Sequence, residues 1–111
     1  MNKVEEIAKS LWEAHTHKST IAPIREQIGE TDIDTAYAIQ QVNTERRIAN
    51  GEVIKGKKIG LTSFAVQEQL GVDQPDYGIL FDTMEVKDGK LAYSELVQPK
   101  AEAEIAFVLG E

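Results

Sequence analysis

The chain of 111 residues reads as an α+β fold, with helices at the front and short strands behind them. Two observations predict it. Apolar residues recur at helical spacing over the first fifty positions, and the remainder consists of short β-forming runs separated by Gly, Pro and Asp. Apolar residues make up 41% and charged residues 28%, a balance that places the chain among globular domains rather than disordered tails.

The first helix is predicted by Val4, Ile7, Ala8, Leu11 and Trp12, which form one apolar stripe over about fifteen residues. A polar stretch from His15 to Gly29 follows, with Ile21, Ile24 and Ile28 expected to pin it to the core. The second long helix spans Thr31 to Asn50. Thr31 or Asp32 can cap it, Arg46 and Arg47 suit its far end, and Asn50-Gly51 stop it. Its apolar residues, Ile33, Ala36, Tyr37, Ile39, Val42 and Ile48, spread beyond one stripe and predict packing on two sides.

Beyond residue 52 the periodicity changes. Val53–Leu61 reads as a strand interrupted by Gly56 and Gly60, and Phe64–Leu70 as a short helix ending at Gly71. Gln74-Pro75-Asp76-Tyr77-Gly78 reads as a turn. Strands are expected at Ile79–Phe81, Met84–Val86 and Leu91–Tyr93, with Asp88-Gly89 as a hairpin turn, and a last strand at Ala101–Leu109. The expected division is a helical region, 1–52, and the beginning of a β-rich catalytic domain, 53–111.

Charge and composition exclude several function classes. The net charge of −7 opposes binding to nucleic acid or to an anionic membrane surface. Cysteine is absent, which removes disulfides, thiolate metal sites and cysteine nucleophiles. The amino-terminal segment lacks the apolar core of a signal peptide, and no apolar run is long enough to span a bilayer, so the expected location is cytoplasmic.

Three constellations carry candidate chemistry. In the expected last strand, Glu102 and Glu104 project from the same face, which continues through Ala106 and Val108, while Ala101, Ala103, Ile105, Phe107 and Leu109 take the other. Two carboxylates on a half-buried face call for a hard divalent cation; on an edge strand they would simply face water. In Gly56-Lys57-Lys58-Ile59-Gly60-Leu61-Thr62-Ser63, only one of Lys57 and Lys58 can face a ligand. Thr62 and Ser63 offer hydroxyls for a carboxylate or keto oxygen, and the alternative is a solvated lysine pair. Asp76 is either a turn residue bonded to its own backbone or a catalytic acid. His15 and His17 have nothing nearby to complete a site and read as surface residues.

These three motifs, GKKIGLTS (56–63), QEQLGVDQPDYGILF (67–81) and QPKAEAEIAFVL (98–109), together resemble the 2-keto-4-pentenoate hydratase family, which includes 4-oxalocrotonate decarboxylases and is related to fumarylacetoacetate hydrolases. The resemblance implies that Glu102 and Glu104 help to hold Mg2+ or Mn2+, that Lys58 and Asp76 are catalytic, and that Thr62 and Ser63 bind substrate. The implied reaction is hydration of a 2-hydroxy-2,4-dienoate in aromatic-compound degradation, with the metal chelating the carboxylate and 2-oxo oxygens of a small 2-oxo acid. Decarboxylation of a 2-oxo diacid is the alternative chemistry, and a non-catalytic assembly domain the alternative class. Family members are longer and supply a third metal carboxylate later in the chain. The chain is therefore expected to be an inactive N-terminal fragment of an enzyme that is a homo-oligomer at full length.

Overall fold

The computed structural model describes residues 1–29 and 32–110. The elements run α1 (Lys3–His17), α2 (Arg25–Ile28), α3 (Ile33–Ala49), β1 (Ile54–Gly60), α4 (Phe64–Leu70) and β2 (Asp76–Phe81). Helices and an antiparallel pair of strands make this an α+β architecture.

Helix α1 begins at a capping box: the Asn2 side chain accepts from the Glu5 amide at 2.9 Å, and the Glu5 carboxylate accepts from the Asn2 amide at 3.2 Å. Asp32 caps α3 by accepting from the amide and hydroxyl of Thr35, at 3.1 and 2.7 Å. These bonds hold the Asp32 carboxyl below its usual pKa. The alternative cap, Thr31, lies outside the described residues.

The apolar stripes meet as their spacing requires. Ile7 and Ala8 of α1 bury against Ile39 of α3, with Val4, Leu11, Ile24, Ile28 and Val42 around them. Burying one such isoleucine contributes about 1.5–3 kcal/mol. The Asn43 side chain donates to the Ala8 carbonyl at 3.0 Å, tying the two helices where the apolar contact ends.

The other side of α3 supports the sheet. A two-stranded ladder is marginal alone and needs a packed layer. Tyr37 stacks on Tyr77 of β2 with ring centroids 4.6 Å apart. Its hydroxyl oxygen accepts from the Tyr77 amide at 3.1 Å, and the Gln40 side chain donates to the Tyr77 carbonyl at 3.1 Å. Near the end of α3, Arg47 pairs with Glu52 at 2.8 Å, and both side chains are largely buried. Its guanidinium also lies over Trp12 and Phe81 and contacts His15 Nε2 at 3.1 Å. The two-sided packing expected of this helix is therefore present. His15 is exposed as expected, yet partial burial, Arg47 and Lys18 together lower its pKa.

Strand β1 pairs with β2 through Lys57↔Ile79, Lys58↔Gly78, Ile59↔Tyr77 and Gly60↔Asp76, with a register shift between Ile54 and Gly56. β2 starts at Asp76, so this residue lies in a ladder rather than in the expected turn. Downstream, three expected strands are corrected. Met84–Val86 is replaced by a 3-10 turn at Asp82–Met84, because the Asp82 carboxylate accepts from the amides of Val53 and Thr83, both at 3.0 Å, and bends the chain. Leu91–Tyr93 is likewise not a strand; a 3-10 turn covers Tyr93–Glu95. At Asp88-Gly89 the turn exists, with Gly89 at φ +73° and the Lys90 amide donating to Asp88, but no strands flank it and no hairpin forms.

The segment Ala101–Leu109 is irregular as well, and every residue in it is exposed. Phe107 is 87% accessible, so the apolar face is as open as the acidic one. Alternation specifies two faces but supplies no neighbouring strand, and among the described residues the only ladder is β1 with β2. The half-buried glutamate face expected from the pattern is thus not formed.

Candidate functional site

The pairing register places Lys58 and Gly60 opposite Gly78 and Asp76, so that Lys58 and Asp76 share one face of the ladder. Lys57 takes the other face and lies over the Tyr77 ring at 4.9 Å. The two lysines thus lie on opposite faces, as strand alternation requires, and Lys58 is the one on the face of Asp76.

A hollow of about 440 Å³ opens on that face. Its wall includes Lys58, Thr62, Ser63, Asp76, Glu102 and Glu104, all six candidate residues. Lys58 Nζ pairs with Glu104 at 3.2 Å, both side chains being about half exposed (47% and 54%). An ion pair that open to water contributes at most about 1 kcal/mol, so an incoming ligand can displace it. Lys58 Nζ also donates to the Ile59 carbonyl at 3.4 Å.

Three carboxylates around this hollow face one ammonium, and the excess negative charge suits a divalent cation. The donors are oxygens without sulfur or imidazole, which selects for hard ions such as Mg2+, Mn2+ or Ca2+. Among the described residues, however, no three Asp, Glu or His side chains converge closely enough to form a finished metal site. The donor set fits in type and charge, with two adjacent glutamates as candidate ligands.

Several residues that shape the hollow lack an obvious sequence signal. Gly60 matters because a Cβ there would collide with Asp76 Oδ1. The glycine thus makes room for the aspartate, whereas Gly56 has open space around it. Leu61 follows at φ +53°, a left-handed conformation that costs a non-glycine residue about 1–3 kcal/mol. Its carbonyl accepts from the side chain of Gln67 at 2.7 Å. Ser63 precedes the first turn of α4 without capping it through its hydroxyl.

Relatives of known kind share this sequence. The TodF product hydratase of Pseudomonas putida strain F1 is 53% identical over 108 residues, covering 96% of this chain and 40% of the relative. The 2-keto-4-pentenoate hydratase of Paraburkholderia phymatum is 56% identical over 109 residues, covering 97% and 42%. Over the stretch it spans, the chain is similar to the front portion of 2-keto-4-pentenoate hydratases. The chain spans about 40% of the length of the curated relatives it matches. Its fold also matches a 4-oxalocrotonate decarboxylase from Pseudomonas putida G7 complexed with magnesium and adipate. The TM-score is 0.78 at 33% identity, over 86% of this chain and 36% of the other. A second structure of that decarboxylase is complexed with calcium and acetate, with a TM-score of 0.79. No family profile matches the chain. No helix among the described residues is long and apolar enough to cross a membrane.

Proposed function

We propose that this chain forms part of a divalent-metal-dependent hydratase that adds water to a 2-hydroxy-2,4-dienoate. The carrying observation is the gathering of Lys58, Asp76, Thr62, Ser63, Glu102 and Glu104 around one hollow. The names of the relatives supply the substrate class, since they are hydratases of 2-keto-4-pentenoate and its kin.

Glu102 and Glu104 would hold Mg2+ or Mn2+, with the remaining positions left to water or further donors. When bound, such an ion supplies Lewis-acid chemistry toward the carboxylate and 2-oxo oxygens of the substrate. The Thr62 and Ser63 hydroxyls donate to the substrate carboxylate. Lys58 places its ammonium beside the oxygen that gains charge as the enol becomes its 2-oxo form. Asp76, on the same face, moves protons: it takes the enol proton and delivers it to the terminal carbon, C5, then accepts one from the water whose oxygen bonds to C4 and returns it to C3. The product is a 4-hydroxy-2-oxo acid, and the atoms of one water are accounted for. In this reading residues 53–111 carry the site and 1–52 brace it, and the working protein is a cytoplasmic homo-oligomer.

A second reading, decarboxylation of a 2-oxo diacid, is favoured by the likeness to the decarboxylase. Both are tested on the full-length protein by following the ultraviolet absorbance of 2-hydroxypenta-2,4-dienoate and, in parallel, carbon dioxide release from a 2-oxo diacid. The expected result is loss of the dienoate signal that stops with a chelator, resumes with Mg2+ or Mn2+, and falls about 100-fold or more in Lys58→Met. Turnover indifferent to both chelator and Lys58→Met would refute the hydratase reading, and carbon dioxide release alone would transfer it to the decarboxylase.

A further inference from the structure

We propose that Gln67 is a positioning residue whose side-chain amide clamps the Leu61 carbonyl and thereby presents Thr62 and Ser63 to the hollow. The inference rests on the hydratase reading, which it deepens by identifying what sets the substrate-carboxylate end of the site.

Burial is the first support. In α4 every residue is exposed except Gln67, which is 5% accessible. Amphipathic packing would bury an apolar residue there; Phe64 and Leu70 are instead left in solvent. A buried amide on an otherwise exposed helix is explained by its bond, and Gln67 Nε2 donates to the Leu61 carbonyl at 2.7 Å.

The backbone it holds is the second support. Leu61 sits at φ +53°, between the end of β1 and the residues that enter α4, where a leucine does not rest without help. The bond closes a ring of seven residues, Leu61 to Gln67, around Thr62 and Ser63, and the Gln67 backbone N–H closes a smaller one by donating to the Ser63 carbonyl at 3.0 Å. One residue therefore fixes both ends of the two-residue segment carrying the hydroxyls.

The third support is location. Leu61, Thr62 and Ser63 all line the hollow with Lys58, Asp76 and the two glutamates, whereas Gln67 does not. Gln67 thus acts through the segment it holds, without touching a ligand.

The test uses the full-length protein with Gln67→Met, similar in length but without a donor, and Gln67→Leu, which differs in shape. Each is combined with Thr62→Val. Loss of the bond is expected to raise KM for the dienoate about tenfold, with kcat changed less than about threefold. Thr62→Val should add little in the Gln67→Met background, because both substitutions remove the same presented hydroxyl. Backbone chemical shifts should show Leu61 moving to negative φ in both Gln67 variants. Additive effects on KM, an unchanged KM, or a Leu61 that keeps its left-handed conformation would overturn the clamp. A wild-type protein inactive on every dienoate would refute the hydratase reading instead, and the Leu61 shifts would still decide whether the clamp exists.

Discussion

Gly60→Ala offers a sharp test of the site, because its expected effects on activity and stability run in opposite directions. The new methyl would collide with Asp76 Oδ1, while Asp76 Cγ stands at 3.5 Å, already an ordinary contact. Relief therefore requires the carboxylate oxygen to retreat by about 1 Å, which a turn of the short side chain provides cheaply. Gly60 is not at positive φ, so alanine brings no backbone strain. Alanine in a strand is in fact more stable than glycine by about 0.5–1 kcal/mol. Displacing a reacting group by about 1 Å costs on the order of 100-fold in rate, or about 2.7 kcal/mol of barrier. The assay pairs the decay of dienoate absorbance with a thermal melt. The expected result is a protein at least as stable as the parent and about 100-fold slower, with no further loss when Asp76→Ala is added to it. Near-parental activity, or a loss that tracks unfolding, would show that the glycine does not make room for a working aspartate.

Other substitutions probe the scaffold. Ile39→Ala empties the centre of the helical core and should lower the stability read from urea denaturation by about 2–5 kcal/mol. Arg47→Met removes the guanidinium that lies over Trp12 and leaves Glu52 largely buried without its charge partner; a loss of about 3 kcal/mol is expected in the same assay. The pKa of His15 is lowered in the folded state, chiefly by desolvation and then by Arg47 and Lys18, so protons bind better to the unfolded chain. Its contribution is present above the unfolded pKa near 6.5 and is lost as pH falls through the lower folded value. Across that window the parent should lose stability faster than His15→Gln, and parallel curves would contradict the assignment.

The sequence made the helices and the opposite facing of Lys57 and Lys58 readable for the same reason: both depend on local spacing. Val4, Ile7, Ala8 and Leu11 mark the face that α1 buries, and the two-residue alternation of a strand separates Lys57 from Lys58. What required a partner was not readable. The alternation at 101–109 describes a strand that has no neighbour among the described residues, so Glu102 and Glu104 reach the hollow from an irregular segment. At 84–86 the bend depends on Asp82 meeting the amide of Val53, twenty-nine positions away. Gln67 escaped notice because one amide aimed at a carbonyl six residues earlier leaves no periodic trace.

The grip of α3 on Tyr77 has a consequence for how this protein tolerates change. Tyr37 and Gln40 together satisfy both the amide and the carbonyl of the residue adjacent to Asp76. The helical half therefore serves as the datum from which the acid's position is measured, although none of its residues borders the hollow. A shift of α3 along its own axis would be transmitted through one peptide unit to the Asp76 end of β2. Substitutions of Tyr37 or Gln40, away from the hollow, should then register as altered turnover before they register as altered folding.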